Sequence, residues 1–95
     1  MQTFIILTRF AAGAFKAPAS FKRASIELTE KLKRECPGVH WKASFATLGR
    51  YDVVDIVEAE APEDVHRAAV LISTNARATT ETMLATPWRE YLAKI

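Results

Sequence analysis

Leu48-Gly49-Arg50-Tyr51-Asp52-Val53-Val54-Asp55-Ile56-Val57-Glu58 is the stretch that decides how this chain is read. Gly49 supplies the positive φ demanded by the first central position of a type II′ turn, so the sequence predicts a β-hairpin in which Leu48 faces Tyr51. Its strands are expected over Val39–Leu48 and Tyr51–Glu60. One face then pairs Ala46 with Val53, Ser44 with Asp55 and Lys42 with Val57, since strand neighbours alternate sides. The other pairs Thr47 with Asp52, Phe45 with Val54, Ala43 with Ile56 and Trp41 with Glu58. Phe45, Val54, Ala43 and Ile56 form an unbroken apolar patch, and that face is expected to lie under helices.

Working outward, Gln2–Phe10 reads as a strand, because Phe4, Ile5, Ile6 and Leu7 are bulky and apolar on both alternations. Ala11–Ala19 reads as a loop of small residues around Gly13 and Pro18. A helix is expected from Ser20, with Phe21, Ala24, Leu28 and Leu32 at helical spacing, stopped by Cys36-Pro37-Gly38. Pro62 suits the first turn of a second helix, Glu63 and Asp64 complement its positive end, and Val65, Ala68, Ala69 and Ile72 form its apolar stripe. Ala78–Thr86 reads as a last strand. Thr86 is expected to cap a short terminal helix with Pro87 at its first position, where Trp88, Tyr91, Leu92 and Ile95 share a face. So short a helix is marginal alone and requires something to dock on. The order βαββαβ predicts an α+β, ferredoxin-like fold with an antiparallel sheet, one domain over residues 1–95, and a short C-terminal helix.

Composition narrows the classes. The net charge of +2, from 13 basic and 11 acidic residues, points to neither a nucleic-acid nor a membrane partner. Lys22, Arg23, Lys31, Lys33 and Arg34 are interleaved with Glu27, Glu30 and Glu35 at helical distances, the pattern of a solvated face. Ala17-Pro18-Ala19 looks like a signal-peptidase site, yet no basic residue precedes the apolar stretch and Arg9 interrupts it, so a cytoplasmic protein is expected. A single cysteine, Cys36, excludes an internal disulfide. His40 and His66 are the only histidines, and with no paired Cys or His motif neither a metal site nor a cofactor is expected.

Two helices cover only one face of a four-stranded sheet, and the first strand is apolar on both. At ~4.8 Å spacing and ~20 Å length the open face presents roughly 400 Å². Two such faces meeting, if wholly apolar, return up to about 20 kcal/mol against an association cost of ~4–15 kcal/mol. A homodimer, or a higher oligomer, through the open face is therefore expected.

Leu48-Gly49-Arg50-Tyr51-Asp52 with the β-run to Glu58 resembles the motif that names the GYD-domain family. Thr80-Glu81-Thr82-Met83-Leu84-Ala85 is similar to that family's last strand, and Pro62–Ile72 to its alanine-rich second helix. Arg50 separates the glycine from Tyr51-Asp52, which the family's variable spacer position allows. The resemblance implies a member of the dimeric α/β-barrel superfamily, in which two ferredoxin-like subunits close their sheets around a central space. It implies little chemistry. That architecture also serves cofactor-free monooxygenases, haem-degrading enzymes, lactone isomerases and small-molecule sensors, and fold alone does not choose among them.

Asp55 is the sharpest local oddity, an acid between Val54 and Ile56 in mid-strand. With Ser44 opposite, Lys42 diagonal and Tyr51 two pairs away, it reads either as the anchor of a ligand inside the barrel or as a structural carboxylate satisfied by Ser44 or Lys42. The ligand-binding candidates are Asp55, Ser44, Lys42, Tyr51 and His40. The expected function is a homodimeric barrel that binds a small molecule or serves as an assembly module. The alternative is a cofactor-free monooxygenase or isomerase on a small aromatic or carbonyl compound, with Asp55 as base and His40 or Tyr51 as helper. Tyr51 and Asp52 otherwise read as turn residues, Tyr51 packing on Leu48 and Asp52 bonding local backbone. Glu81 reads either as a solvated or edge-protecting acid or as a side chain reaching the cavity, since sequence does not fix the last strand's register.

Overall fold

A computed structural model describes residues 1–14 and 17–95. The bulky, β-prone run Gln2–Phe10 forms β1, flanked on both sides by other strands. Helix α1 (Pro18–Glu35), strands β2 (His40–Ala46) and β3 (Val53–Ala59), helix α2 (Pro62–Ala76), strand β4 (Ala78–Ala85) and helix α3 (Trp88–Lys94) follow. The sheet runs β2-β3-β1-β4 with every pairing antiparallel, the ferredoxin-like topology expected from the element order. No described helix is long and apolar enough to cross a membrane.

Both long helices open on a proline, which gives up only an N–H that the first turn leaves unpaired anyway. That is why α1 starts at Pro18, ahead of the expected Ser20. Of the loop expected over Ala11–Ala19, residues 15 and 16 lie outside the described residues. The core is built from Phe4, Ile6, Val57 and Ala59 of the sheet against Val65, Ala68 and Ile72 of α2, with Leu32 of α1 closing it. The backbone of α1 approaches α2 but none of the strands, so a space opens between α1 and the sheet.

The face assignment read from the hairpin is reversed. Phe4, Ile6 and Thr8 are buried on the helix side, with Val53, Asp55 and Val57 beside them. Phe45, Val54, Ala43 and Ile56 lie on the open side with Ile5 and Leu7. Each alternation of β3 carries an acid: Asp55 on one, Glu58 on the other. Burying Glu58 would also bury Trp41's expected partner position and expose Val57 and Ala59, which are fully buried. The sheet buries Asp55 instead.

The expected pairing holds from Ala46 with Val53 to Ala43 with Ile56, then slips by one at a bulge around Lys42. Trp41 thereby joins Val57 on the helix side, while His40 faces Glu58. The extra residue of a bulge leaves no periodic trace in sequence.

The hairpin end is also wider than a two-residue turn. Strands stop at Ala46 and resume at Val53, closed by the Thr47 N–H donating to the Asp52 carbonyl (2.9 Å) and the Thr47 hydroxyl to the Tyr51 carbonyl (2.7 Å). Gly49 has φ of 121°, a region that side-chain-bearing residues avoid. Leu48 is fully exposed and does not pack on Tyr51. Asp52 explains the geometry. Its N–H donates to the Thr8 carbonyl (2.8 Å) and its Oδ2 accepts from the Phe10 N–H (2.8 Å), tying the loop to β1 rather than to local backbone.

Helix α3 starts one residue later than expected, with Pro87 rather than Thr86 as its N-cap. Trp88, Tyr91, Leu92 and Ile95 are exposed and the helix packs on none of the described elements. Trp88 and Tyr91 stack on one another with ring centroids 5.7 Å apart.

Ile6→Ala should lower unfolding free energy by about 2–5 kcal/mol, as for other buried aliphatic truncations, and Asp52→Ala by about 1–3 kcal/mol through loss of the bond its carboxylate accepts from the Phe10 N–H. Urea titration checks both, and an unchanged midpoint for either contradicts the packing described.

Candidate functional site

The gap between α1 and the sheet is a cavity of about 270 Å³. Leu28 and Leu32 of α1, Ile72 of α2, and Trp41 and Val53 of the sheet give it apolar walls. Three oxygen-bearing side chains stand on its floor: Thr8 from β1, Ser44 from β2 and Asp55 from β3. They converge because β1 and β3 alternate in step. Asp55 lies opposite both Ser44 and Ile6, and Thr8 is the next inward residue after Ile6.

Asp55 is only 8% exposed, and no cationic side chain pairs with it among the described residues. Burial pushes its carboxyl above the ordinary 3.8, and a hydrogen bond with the Ser44 hydroxyl partly offsets that rise. Thr8 is 2% exposed, and its Oγ1 is buried with no hydrogen-bond partner among the described residues. A buried hydroxyl left unbonded costs stability, and such exceptions are few in folded proteins.

The other candidates sit elsewhere. Lys42, at the bulge, reaches Glu58 with Nζ 3.8 Å from Oε1 rather than Asp55. His40 is exposed beside Glu58 on the open side. Tyr51 donates its phenol hydrogen to Glu81 Oε2, and that bond, followed by desolvation, raises the phenol above its usual value. Glu81 lies opposite Leu7, so this pair also belongs to the open side. The expected constellation therefore divides: Asp55 and Ser44 face the helices, while Lys42, His40 and Tyr51 rim the opposite face. A barrel interior formed by the open face would not contain Asp55. Parity is the reason, since one residue of slip moves every side chain across the sheet.

Sequence reading missed Thr8 and Trp41. Thr8 was within reach, because it shares the alternation of Phe4 and Ile6 and is the one polar residue among them. Trp41 was not, because only the bulge brings it inward.

The open face has its own character. Ile5, Leu7, Val54 and Ile56 lie half-buried at its centre, with Phe45 and Met83 more exposed toward the edges. Around them stand Arg9, Lys42, Glu58 and Glu81. An apolar centre within a polar rim is the anatomy of an association surface.

A family model for the GYD domain matches residues 4–95 of this chain. A Thermus thermophilus protein named "Glutamine synthetase and cystathionine beta-lyase binding protein" is 30% identical over 95 residues, spanning 100% of this chain and 99% of the relative. Among solved structures, hypothetical protein PHS023 from Pyrococcus horikoshii is 27% identical with a TM-score of 0.55, covering 96% of each chain. A structure named FFRP-DM1 is 28% identical with a TM-score of 0.51, covering 90% of this chain and 100% of the other.

The raised carboxyl of Asp55 sets a pH dependence. A folded-state value above the unfolded one means that the native state holds its proton longer, so stability falls as pH rises from about 3.8 through the folded value. Asp55→Asn removes that loss. Its melting temperature relative to wild type should rise as pH is raised above about 3.8. A relative melting temperature that falls over the same range contradicts an unpaired, buried Asp55.

Proposed function

The chain belongs to the GYD domain family, and from that premise we propose that it is a homodimeric binding module whose copies meet through their open sheet faces. One observation carries this reading: the apolar patch of Ile5, Leu7, Val54 and Ile56 has no cover among the described residues. A second copy supplies a cover of the same shape, as an isologous two-fold interface does. The rim charges are of both signs, Arg9 and Lys42 with Glu58 and Glu81, so antiparallel apposition places unlike charges within reach.

The module's work is to hold other proteins. The Thermus thermophilus relative, matched over its whole length, is named for binding glutamine synthetase and cystathionine beta-lyase, and those two enzymes are the first partners to test here. The unattached α3, with Trp88, Tyr91 and Leu92 on its surface, supports a protein partner, since aromatic side chains dominate protein contacts. The oxygenase or isomerase alternative loses its helpers, because Asp55 and the His40 and Tyr51 side chains stand on opposite faces.

Sedimentation equilibrium at micromolar concentration should return twice the chain mass, and Ile5→Glu should return a folded single chain. A wild-type monomer removes the pairing. Immobilised wild-type protein should bind purified glutamine synthetase or cystathionine beta-lyase from its own source, and failure with both removes the adaptor reading.

A further inference from the structure

We propose that the cavity between α1 and the sheet binds a small apolar primary amine as its ammonium, held by Asp55, Ser44 and Thr8. This site lies on the face away from the pairing surface, and its test is independent of the dimer.

The chemistry follows from what the cavity leaves unbalanced. Asp55 is a buried carboxylate with no cation of the chain beside it among the described residues. A charge so placed requires either a proton or a counterion. Thr8 Oγ1 is buried on the same floor without a partner among the described residues. Thr8 is the diagonal neighbour of Asp55 across the β1–β3 pair, so the two side chains stand on one side of the sheet, within reach of a common ligand.

An ammonium fits that gap better than other groups. It carries three donors and no acceptor. The floor offers three acceptors: a carboxylate, the Ser44 oxygen and the Thr8 oxygen. A carboxylate ligand would place like charge against Asp55. An uncharged alcohol would satisfy Thr8 but leave the Asp55 charge uncompensated. The body of the ligand is set by Leu28, Leu32, Trp41, Val53 and Ile72, all apolar or aromatic. Lys33 is the one other charged side chain on the lining among the described residues, and no ion pair there ties it to Asp55. A cavity of about 270 Å³ is large enough for a small organic molecule rather than a single water.

Phenethylamine and cyclohexylmethylamine are suitable probes, with 2-phenylethanol and phenylacetate as neutral and anionic counterparts. Isothermal titration of the full chain at neutral pH should show saturable amine binding, at least about tenfold tighter than the alcohol, and none of the acid. Asp55→Asn should weaken the amine by about tenfold or more, and Thr8→Val by a smaller factor. Leu28→Trp, which fills the cavity, should abolish binding while circular dichroism stays native. Should Asp55→Asn fail to fold, Thr8→Val and Ser44→Ala carry the same comparison. Amide chemical-shift changes should centre on Thr8, Ser44 and Asp55. The proposal is overturned by no binding of either amine, by equal affinity for amine and alcohol, by wild-type affinity in folded Asp55→Asn, or by shifts confined to the open sheet face.

Discussion

Strand β1 is apolar on both sides, and a sheet backed by helices on one side has room for only half of that. Phe4 and Ile6 go under α2 with Val57, and Ile5 and Leu7 are left facing out with Val54 and Ile56. Because a strand repeats every two residues, this single choice fixes the side on which every other strand residue falls. The buried cluster, the cavity, the open apolar face and its charged rim are all consequences of it.

The same parity explains where the fold gives up stability. To keep Val57 and Ala59 in the core, the sheet must take Asp55 and Thr8 in with them, two polar side chains the helices do not satisfy. A core designed for stability alone would place valine or isoleucine at both positions. The helix layer does not close over them: α1 stands off from the sheet and leaves a space against the polar floor. An open cavity and two under-bonded polar groups at one spot form a single feature, and the ligand recognition proposed above would account for both. Elsewhere polar groups are well used. Asp52 spends its carboxylate on the Phe10 N–H and its own N–H on the Thr8 carbonyl, so the loop that leads into β3 is pinned to the strand beside it.

Much of this fold was legible in the residues. Proline at the start of α2, the stripe of Val65, Ala68, Ala69 and Ile72, and the dense apolar runs of β1 and β3 gave the element order and the central strands. The pairing of Ser44 with Asp55 was legible too. Three things were not. Both alternations of β3 hold an acid and two or more apolar residues, so pattern alone does not say which is covered. The bulge at Lys42 moves Trp41 across the sheet without altering any local preference. Glycine at 49 demands positive φ, but the bonds from Asp52 to β1, more than forty positions away in the chain, decide how wide the loop is. The candidate site was therefore half legible: its carboxylate and one hydroxyl were named, while its side of the sheet, its second hydroxyl and its walls depended on contacts between distant segments.

The proposed dimer rests on one contact, a second copy covering the open face. Isotope-filtered nuclear Overhauser spectroscopy on a mixture of labelled and unlabelled protein reads that contact without any substitution. Contacts between copies should arise from the methyl groups of Ile5, Leu7, Val54 and Ile56. Their absence, or contacts between copies that arise only from the surfaces of α1 and α2, would contradict it.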